Sequence, residues 1–307
     1  MTLPSAPLPD AMPTNWVDRH APAGLRPWLK LGRFDRPTGI WLLMLPGWQG
    51  VALAGATHGG LPSLTLLVEV FVGAALMRAA GCAYNDIVDR DIDAKVARTA
   101  LRPIPAGEIS VKQAWAFIVA CSLVSLAILL TFPPVAIGLG VGSLALVAAY
   151  PFMKRITWWP QAWLGLTFNW GAQLGFAAAT GTVQLPAILL YASGIFWTLG
   201  YDTIYAIQDL EDDALIGVKS STRRLGAQVP RAVMGFYFTA AVLAAASGWS
   251  AGLGAPFYGL GVAYALQLGW QARAIRLDDP ALALRLFKSN SLAGVILFAA
   301  FALAGAA

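Results

Sequence analysis

The chain of 307 residues has few charged side chains, few cysteines and few histidines. Charged residues make up 12% of it, about half the share of roughly 25% that is usual in soluble domains. A globule of this size cannot cover its surface with so few charges, which excludes a soluble protein. The two cysteines and two histidines have no second such residue at ligand spacing. A disulfide scaffold, a zinc site and a histidine-ligated haem are therefore not expected.

Long uncharged stretches fill most of the chain instead. Windows of 41, 46 and 41 uncharged residues occupy 113–153, 156–201 and 232–272. Each window is long enough for two membrane-spanning helices of about 20 residues and breaks near its middle at proline or glycine. A further pair fits between Pro37 and Asn85, and a last helix fits after Lys288. The sequence therefore predicts an all-α, polytopic membrane protein with nine transmembrane helices.

The basic residues predict how these helices are oriented. Lys and Arg lie in the segments between the predicted helix hairpins, and the four hairpin turns hold none. The positive-inside rule then places the basic loops and the N-terminus in the cytoplasm and the C-terminus in the periplasm. We expect a bacterial inner-membrane protein, with the mitochondrial inner membrane as the alternative. Because the net charge of +5 is spread in small groups, no nucleic-acid partner is expected.

The N-terminal stretch differs in composition from the rest. It is rich in proline and has no apolar run, so it is not the hydrophobic region of a signal peptide. We predict a disordered tail over 1–32 and a transmembrane domain over 33–307.

The acidic residues are concentrated in two clusters. Nine of the 16 Asp and Glu lie at the predicted cytoplasmic ends of the second and sixth spans. The first cluster contains Asp86, Asp89, Asp91 and Asp93, and the second contains Asp202, Asp209, Glu211, Asp212 and Asp213. Like charges stacked at a bilayer boundary repel one another and are costly to desolvate, so a cation must compensate for them.

The spacing within the clusters indicates which cation. On a continuing helix Asn85, Asp89 and Asp93 share one face, as do Asp202, Tyr205, Asp209 and Asp213. A shift of 120 residues superposes Asp89 and Asp93 on Asp209 and Asp213. Oxygen ligands without His or Cys suit Mg²⁺, which normally binds one or two carboxylates together with substrate phosphates. Bases follow both clusters, so the pattern predicts a metal-bridged diphosphate site.

Two other interpretations of the clusters stay open at this point. One acidic cluster beside Lys and Arg is usually a solvated loop, although two clusters with equal spacing at equivalent helix ends argue against it. Intramembrane acids also mark ion or proton pathways in transporters. For a transporter we expect charges near the bilayer midplane, whereas here they gather at one end of the predicted spans.

The motifs around both clusters resemble the signatures of UbiA-type membrane prenyltransferases. The first runs from Met77 through Asn85-Asp86-x-x-Asp89-x-x-x-Asp93 to Arg102-Pro103-Ile104-Pro105-Ala106-Gly107. The second is Asp202-x-x-Tyr205-Ala206-x-x-Asp209-x-x-x-Asp213, followed by Gly217-Val218-Lys219. The stretch 150–161 resembles the 4-hydroxybenzoate branch of that family. The similarity extends from about Arg33 to the end of the chain.

The resemblance implies one helical bundle around a central cavity that holds a polyprenyl diphosphate. It implies an Mg²⁺-dependent transfer of the polyprenyl group to the ring of 4-hydroxybenzoate, a step of ubiquinone biosynthesis. The expected metal ligands are Asn85, Asp89, Asp93, Asp209 and Asp213, with Asp93 and Asp202 in a supporting role. The expected diphosphate contacts are Lys95, Arg98, Arg102, Lys154 and Lys219.

Three arginines compete to hold the carboxylate of the acceptor. Arg155 is the first candidate, because it lies at the predicted membrane level of both acidic clusters and a planar guanidinium matches a carboxylate. Arg36 and Arg78 are the other two. The expected partners are polyprenyl diphosphate, 4-hydroxybenzoate and the lipid bilayer; the oligomeric state stays open. The alternatives are another acceptor, such as homogentisate, a naphthoate or haem, or an ion-coupled transporter.

Overall fold

The computed structural model describes residues 15–94, 99–210 and 217–306, and this part of the chain is helical without a strand. The α-helices are α1 Trp16–His20, α2 Arg26–Leu31, α3 Thr38–Thr57, α4 Leu64–Asp93, α5 Val111–Leu129, α6 Pro134–Ile156, α7 Pro160–Thr180, α8 Leu185–Tyr205, α9 Ser221–Leu225, α10 Val229–Ser250, α11 Ala255–Ala274 and α12 Pro280–Ala304. Short 3₁₀ turns occupy Ala23–Leu25, Ala206–Asp209 and Gly226–Gln228. The predicted all-α class is confirmed for these ranges.

Six helices in the described ranges are long and apolar enough to cross a membrane. They are Thr38–Thr57, Leu64–Asp91, Val111–Leu129, Pro134–Ile156, Ser221–Ser250 and Pro280–Ala304. The helices α7, α8 and α11 have 21, 21 and 20 residues but are not among the six. The six helices support a polytopic membrane protein, three spans fewer than the nine predicted from sequence.

The predicted hairpin turns lie between helices in the structure. Pro133 precedes the first residue of α6, where a missing N–H costs no helical hydrogen bond. Gly181 ends α7 with a left-handed φ of 70° and donates its N–H to the carbonyl of Ala177 at 2.8 Å. A left-handed residue at this position is the usual helix stop, and glycine adopts it without a steric cost.

The second half of the predicted disordered tail is structured. It forms α1 and α2, and the Asn15 side chain caps α1 by accepting a hydrogen bond from the Asp18 backbone at 3.0 Å. Lys30 is buried and forms an ion pair with Asp18 at 2.9 Å. A cap, an ion pair and the packing of Leu31 order this segment although it has no apolar run, which explains why its composition misled the prediction for these residues.

Two compact units make up the fold, and the first contains 15–41 and 72–128. Its core is an apolar cluster of Leu31, Ala83, Ile104, Ile109 and Ala114. These residues come from α2, α4, the segment after α4 and α5, so the cluster fixes that segment against the acidic end of α4.

The second unit contains 42–71 and 129–306. Within it α8 packs against α7 and α10, and the part of α3 after Leu42 crosses α7. The crossing is made by glycine: a Cβ on Gly175 would collide with the backbone carbonyl of Gly47, and a Cβ on Gly50 with that of Ala172. Small residues are the usual means by which membrane helices approach closely.

A buried polar network links four helices of the second unit. Asn290 of α12 accepts hydrogen bonds from Trp197 Nε1 at 2.8 Å and from Tyr237 OH at 3.3 Å. Its amide Nδ2 donates to Gln271 Oε1 at 2.8 Å, which also accepts from Tyr237 OH at 2.9 Å. All four side chains are fully buried, so the network fixes α8, α10, α11 and α12 in one register.

Candidate active site

The first acidic cluster lies on the last turns of α4. Asp86, Asp89 and Asp93 are 0%, 1% and 7% exposed, and Asn85 is half-buried. Asp91 points the other way: its side chain is 85% exposed and pairs with Arg90 at 3.3 Å. The buried carboxylates share one helix face, as their spacing predicts, and Asp91 is not part of that face.

Asp86 is the best-defined carboxylate of this cluster. Its Oδ1 and Oδ2 accept hydrogen bonds from Arg33 Nη2 at 2.6 and 2.8 Å. Its Oδ1 also accepts from Arg102 Nη1 at 3.2 Å, and the same nitrogen donates to Asp93 Oδ2 at 2.8 Å. Two guanidinium groups therefore lie among the carboxylates, and one of them, Arg102, is a predicted diphosphate contact.

The segment after α4 holds Arg102 in place by local contacts. Thr99 Oγ1 donates to the backbone carbonyl of Asp93 at 2.8 Å, and the Arg102 N–H donates to the Thr99 carbonyl at 3.0 Å. The turn then closes through a hydrogen bond from Ile109 N–H to the Pro103 carbonyl at 3.0 Å. The contact of Thr99 with Asp93 ties the described part of this segment to the end of α4, beside which Arg102 lies.

The candidate arginines Arg36 and Arg78 also lie in the first unit. Arg36 Nε faces the buried carboxylate of Asp35 at 3.4 Å. The half-buried Arg78 guanidinium packs against the bare Cα of Gly39, where a Cβ would lie 2.8 Å from Arg78 Nε. Arg36 already has a carboxylate beside it, and Arg78 occupies space that only a glycine leaves open.

The second acidic cluster follows the end of α8, where the helix changes type. The α-helix ends at Tyr205 and continues as a 3₁₀ turn over Ala206–Asp209, and both Asp202 and Asp209 are half-buried. A 3₁₀ turn advances about 120° per residue against about 100° in an α-helix. Asp209 is therefore rotated by roughly 80° from the position that a continuing α-helix would give it.

Two predicted diphosphate contacts, Lys154 and Lys219, are neighbours in the second unit. The Lys219 N–H donates to the Lys154 carbonyl at 3.1 Å, and Lys219 Nζ donates to the Ile156 carbonyl at 3.1 Å. Arg155 is exposed, with its guanidinium 6.0 Å from the centre of the exposed Phe152 ring. The two lysines thus share one helix end, whereas Arg155 lies on its exposed side.

Buried hydroxyl groups fix the segment that carries Lys219. Ser221 Oγ is 2.7 Å from Thr203 Oγ1, and Thr222 Oγ1 donates to the Thr203 carbonyl at 2.7 Å. The Ser221 N–H donates to Gln161 Oε1 of α7 at 3.0 Å. Thr203 directly follows Asp202, so these bonds connect the basic segment to the acidic end of α8.

Aromatic rings line the same end of α8. The Tyr205 ring is 4.6 Å from Phe287 of α12, which is 5.8 Å from Tyr201, and Tyr201 is 5.3 Å from Trp197. Trp197, Tyr201 and Tyr205 are spaced four residues apart and form one stripe. The stripe leads from the buried polar network to Asp202.

Three predicted site residues, Lys95, Arg98 and Asp213, lie outside the described residues. Within the described ranges no group of three His, Cys, Asp or Glu is close enough to hold a metal ion. Asn85, Asp89 and Asp93 still supply only oxygen donors on one face of α4, which is the donor chemistry that Mg²⁺ prefers. The described residues therefore fit part of a magnesium site.

Sequence reasoning missed several residues that organise the two clusters. They are Arg33, Thr203, Gln161 and Phe287. Arg33 lies 53 residues from Asp86 in the chain, so no spacing rule connects them. The run of three hydroxyl residues at 220–222 was the one local sign of such contacts, because buried hydroxyl groups need hydrogen-bond partners.

The fold and the site define a helical membrane protein with paired aspartate motifs, each followed by bases. Residues 43–306 match the family model described as the UbiA prenyltransferase family. The chain therefore belongs to the UbiA prenyltransferase family.

Curated relatives and solved structures agree with this assignment. The chain is 45% identical over 285 residues to a mitochondrial 4-hydroxybenzoate polyprenyltransferase of Arabidopsis thaliana, covering 92% of this chain and 70% of the relative. It is 45% identical over 281 residues to the protein of that name in Homo sapiens, covering 91% and 75%. The apo structure of a UbiA homolog from Aeropyrum pernix K1 has a TM-score of 0.71 at 28% identity, covering 85% of this chain and 96% of that one. The fold is shared with a UbiA homolog from Archaeoglobus fulgidus bound to GPP and Mg²⁺, with a TM-score of 0.65 at 20% identity and coverages of 91% and 99%.

Proposed function

We propose that this chain transfers a polyprenyl group from polyprenyl diphosphate to the ring of 4-hydroxybenzoate, a step of ubiquinone biosynthesis. The observation that carries the proposal is the identity of about 45% over more than nine-tenths of the chain to relatives named for this activity. The buried, base-flanked aspartates of α4 support it, because a departing diphosphate needs positive charge within a site of carboxylates and metal.

We assign Mg²⁺ to Asn85, Asp89, Asp93, Asp209 and Asp213, with Asp202 beside them. The bound metal would neutralise the charge that develops on the departing diphosphate. The chain's own carboxylates would hold and orient the metal, and Asp89 and Asp93 are both buried. Because Asp86 is paired with two arginines, it is not assigned to the metal.

The diphosphate oxygens are assigned to Lys95, Arg98, Arg102, Lys154 and Lys219. Arg102 is the best-supported of these, because its guanidinium already lies at the carboxylate of Asp93. Lys219 donates to a backbone carbonyl at an exposed position, a weak contact that a phosphate oxygen can replace.

For the acceptor carboxylate the geometry favours Arg78. A carboxylate that enters an apolar cavity must be paired, because leaving it unpaired costs several kcal/mol. Arg78 is half-buried on α4, two turns before Asn85, whereas Arg155 is exposed. Arg155 and Arg36 remain the alternatives.

We further propose that nine helices cross the membrane around a central cavity, with the basic loops on the cytoplasmic side of a bacterial inner membrane. The described helices α7, α8 and α11 support the higher count, because each has about the length of a span. The relatives are named as mitochondrial, and in a mitochondrion the equivalent side is the matrix. The domain boundary at residue 33 stays a prediction.

The acceptor is tested by incubating membranes with polyprenyl diphosphate, Mg²⁺ and a panel of acceptors. We expect 4-hydroxybenzoate to be prenylated in preference to homogentisate, a naphthoate and haem. If only one of the other acceptors is prenylated, the assigned acceptor is wrong but the assigned reaction, prenyl transfer, still holds. Transport of an ion without any prenylated product would contradict the enzyme itself.

A further inference from the structure

We propose that Asp86 is a positioning residue and not a metal ligand: it holds the Arg102 guanidinium against Asp93, with Arg33 as its second counter-charge. The proposal deepens the proposed function, because it rests on Arg102 binding the diphosphate. The proposal gives Asp86 a different role from Asp89 and Asp93, the neighbouring carboxylates of the same cluster that are assigned to the metal.

The hydrogen bonds of Asp86 show why it is unsuited to a metal. Both of its oxygens accept from Arg33 Nη2, and Oδ1 also accepts from Arg102 Nη1. The side chain is fully buried. A cation that approached Asp86 would have to displace a guanidinium, whereas a carboxylate paired with two arginines already has its charge compensated.

Arg102 is located by two carboxylates at once. Its Nη1 lies 3.2 Å from Asp86 Oδ1 and 2.8 Å from Asp93 Oδ2. Without Asp86, Arg102 Nη1 keeps its hydrogen bond to Asp93 but loses the one to Asp86. The guanidinium is then held less firmly, and binding a diphosphate costs more of the entropy of fixing its orientation.

Arg33 has a backbone conformation that supports this role. Its φ of 60° makes it the one non-glycine residue with a positive φ in the described ranges. This conformation is disfavoured for a branched or long side chain and is easy for glycine. A side chain kept at that cost is held by its contacts, which include the carboxylate of Asp86 and the carbonyl of Lys30 at 3.0 Å.

The experiment compares variants of the full-length enzyme in membranes. Asp86→Asn removes the carboxylate charge, Arg33→Gly relaxes the backbone but removes the counter-charge, and Arg33→Lys keeps the charge. Asp91→Asn is the matched control, since it makes the same change on the exposed side of the same helix. The readouts are the KM for polyprenyl diphosphate, the Mg²⁺ concentration for half-maximal activity, and protection of the protein from heat by inorganic pyrophosphate.

We expect Asp86→Asn and Arg33→Gly to raise the KM for polyprenyl diphosphate by about tenfold and to weaken protection by pyrophosphate. The Mg²⁺ requirement should change less than about twofold, Arg33→Lys should recover part of the loss, and Asp91→Asn should behave as wild type. In an Arg102→Ala background, Asp86→Asn should raise the KM no further, because Asp86 acts through Arg102.

Other outcomes would overturn the assignment. A raised Mg²⁺ requirement with an unchanged KM for polyprenyl diphosphate would make Asp86 a metal ligand. Additive effects of Asp86→Asn and Arg102→Ala would show that the two act separately. If Asp86→Asn does not fold, Arg33→Gly tests the proposal in its place. A more stable Arg33→Gly variant with an unchanged KM for polyprenyl diphosphate would show that Arg33 serves only the backbone turn, and would contradict the proposal. Failure of the proposed function is distinguishable, because the wild type itself would then not prenylate 4-hydroxybenzoate.

Discussion

The Arg78 guanidinium occupies the space beside Gly39 in which a side chain would otherwise lie. A Cβ on Gly39 would lie 2.8 Å from Nε and 2.9 Å from Nη2 of Arg78. The atoms in its way are the flexible end of an arginine, so Gly39→Ala should displace Arg78 and leave the fold intact. We expect the KM for 4-hydroxybenzoate to rise by roughly three- to tenfold, equivalent to about 0.7–1.4 kcal/mol.

The control for this prediction is Gly73→Ala on α4. A Cβ on Gly73 meets no atom within 4 Å, so the same substitution there should leave the KM unchanged. Steady-state kinetics with each substrate varied in turn measure the effect. A lower melting temperature for Gly39→Ala with unchanged kinetics would instead indicate a packing role.

Removing the guanidinium itself tests how the acceptor is recognised. We expect Arg78→Ala to raise the KM for 4-hydroxybenzoate by at least about tenfold, or about 1.4 kcal/mol, with little change in the KM for polyprenyl diphosphate. Arg155→Ala should have a smaller effect, because Arg155 is exposed. If Arg155→Ala raises the KM for 4-hydroxybenzoate more than Arg78→Ala does, the acceptor carboxylate is assigned to Arg155 instead.

The metal assignment predicts that substitution of a ligand lowers activity without unfolding the protein. Asp89→Asn and Asp209→Asn should each lower kcat on the order of 100-fold or more while the protein stays inserted and folded, because a neutral amide oxygen binds Mg²⁺ more weakly than a carboxylate. EDTA should have the same effect on the wild type and excess Mg²⁺ should reverse it. Full activity in EDTA contradicts the assignment, and Asp91→Asn is again the control.

A pH effect is expected at the N-terminal helices. Burial raises the pKa of Asp18, but its hydrogen bonds with Lys30 and Asn15 and the nearby positive charges outweigh burial and lower the pKa below the usual 3.8. Because the folded pKa is depressed, the stabilisation is complete above pH 3.8 and is lost as the pH falls through the folded value. Hydrogen exchange of α1 and α2 should accelerate in that acidic range, and Asp18→Asn should abolish the pH dependence. An unchanged profile in the variant would assign the transition to another group.

Single cysteines test the orientation of the helices. With Cys82 and Cys121 replaced, cysteines at His58 and Thr182 should react with an impermeant reagent from the periplasmic side. Ala106 and Ala227 are exposed in basic segments and should react only from the cytoplasm. If Thr182 and Ala106 react from the same side, the nine-span topology is wrong.

How much of this was predictable depends on whether a feature is local in sequence. The positions of the helix breaks were predictable, because proline and glycine act through their own backbone, as at Pro133 and Gly181. The shared face of Asp89 and Asp93 was also predictable, because it follows from helical spacing. These features need no knowledge of what lies elsewhere in the chain.

Features that depend on distant partners were not predictable. The pairing of Arg33 with Asp86 joins residues 53 positions apart, and nothing in either motif specifies it. The 3₁₀ turn at Ala206–Asp209 was not expected either, because the spacing of the second cluster fits a regular α-helix equally well. The order of residues 15–32 depends on an ion pair and on packing that composition does not record.

The hydrogen bond between Trp197 and Asn290 cannot form until α12, the last helix in the chain, has entered the membrane. Asn290 is the acceptor for Trp197 Nε1, and both side chains are fully buried. Until α12 has entered the membrane, that indole N–H lacks this acceptor in a medium where an unsatisfied polar group is costly. Nascent chains released before residue 280 should therefore be recognised as incomplete by membrane quality control, even though the aspartates of both clusters have already been synthesised.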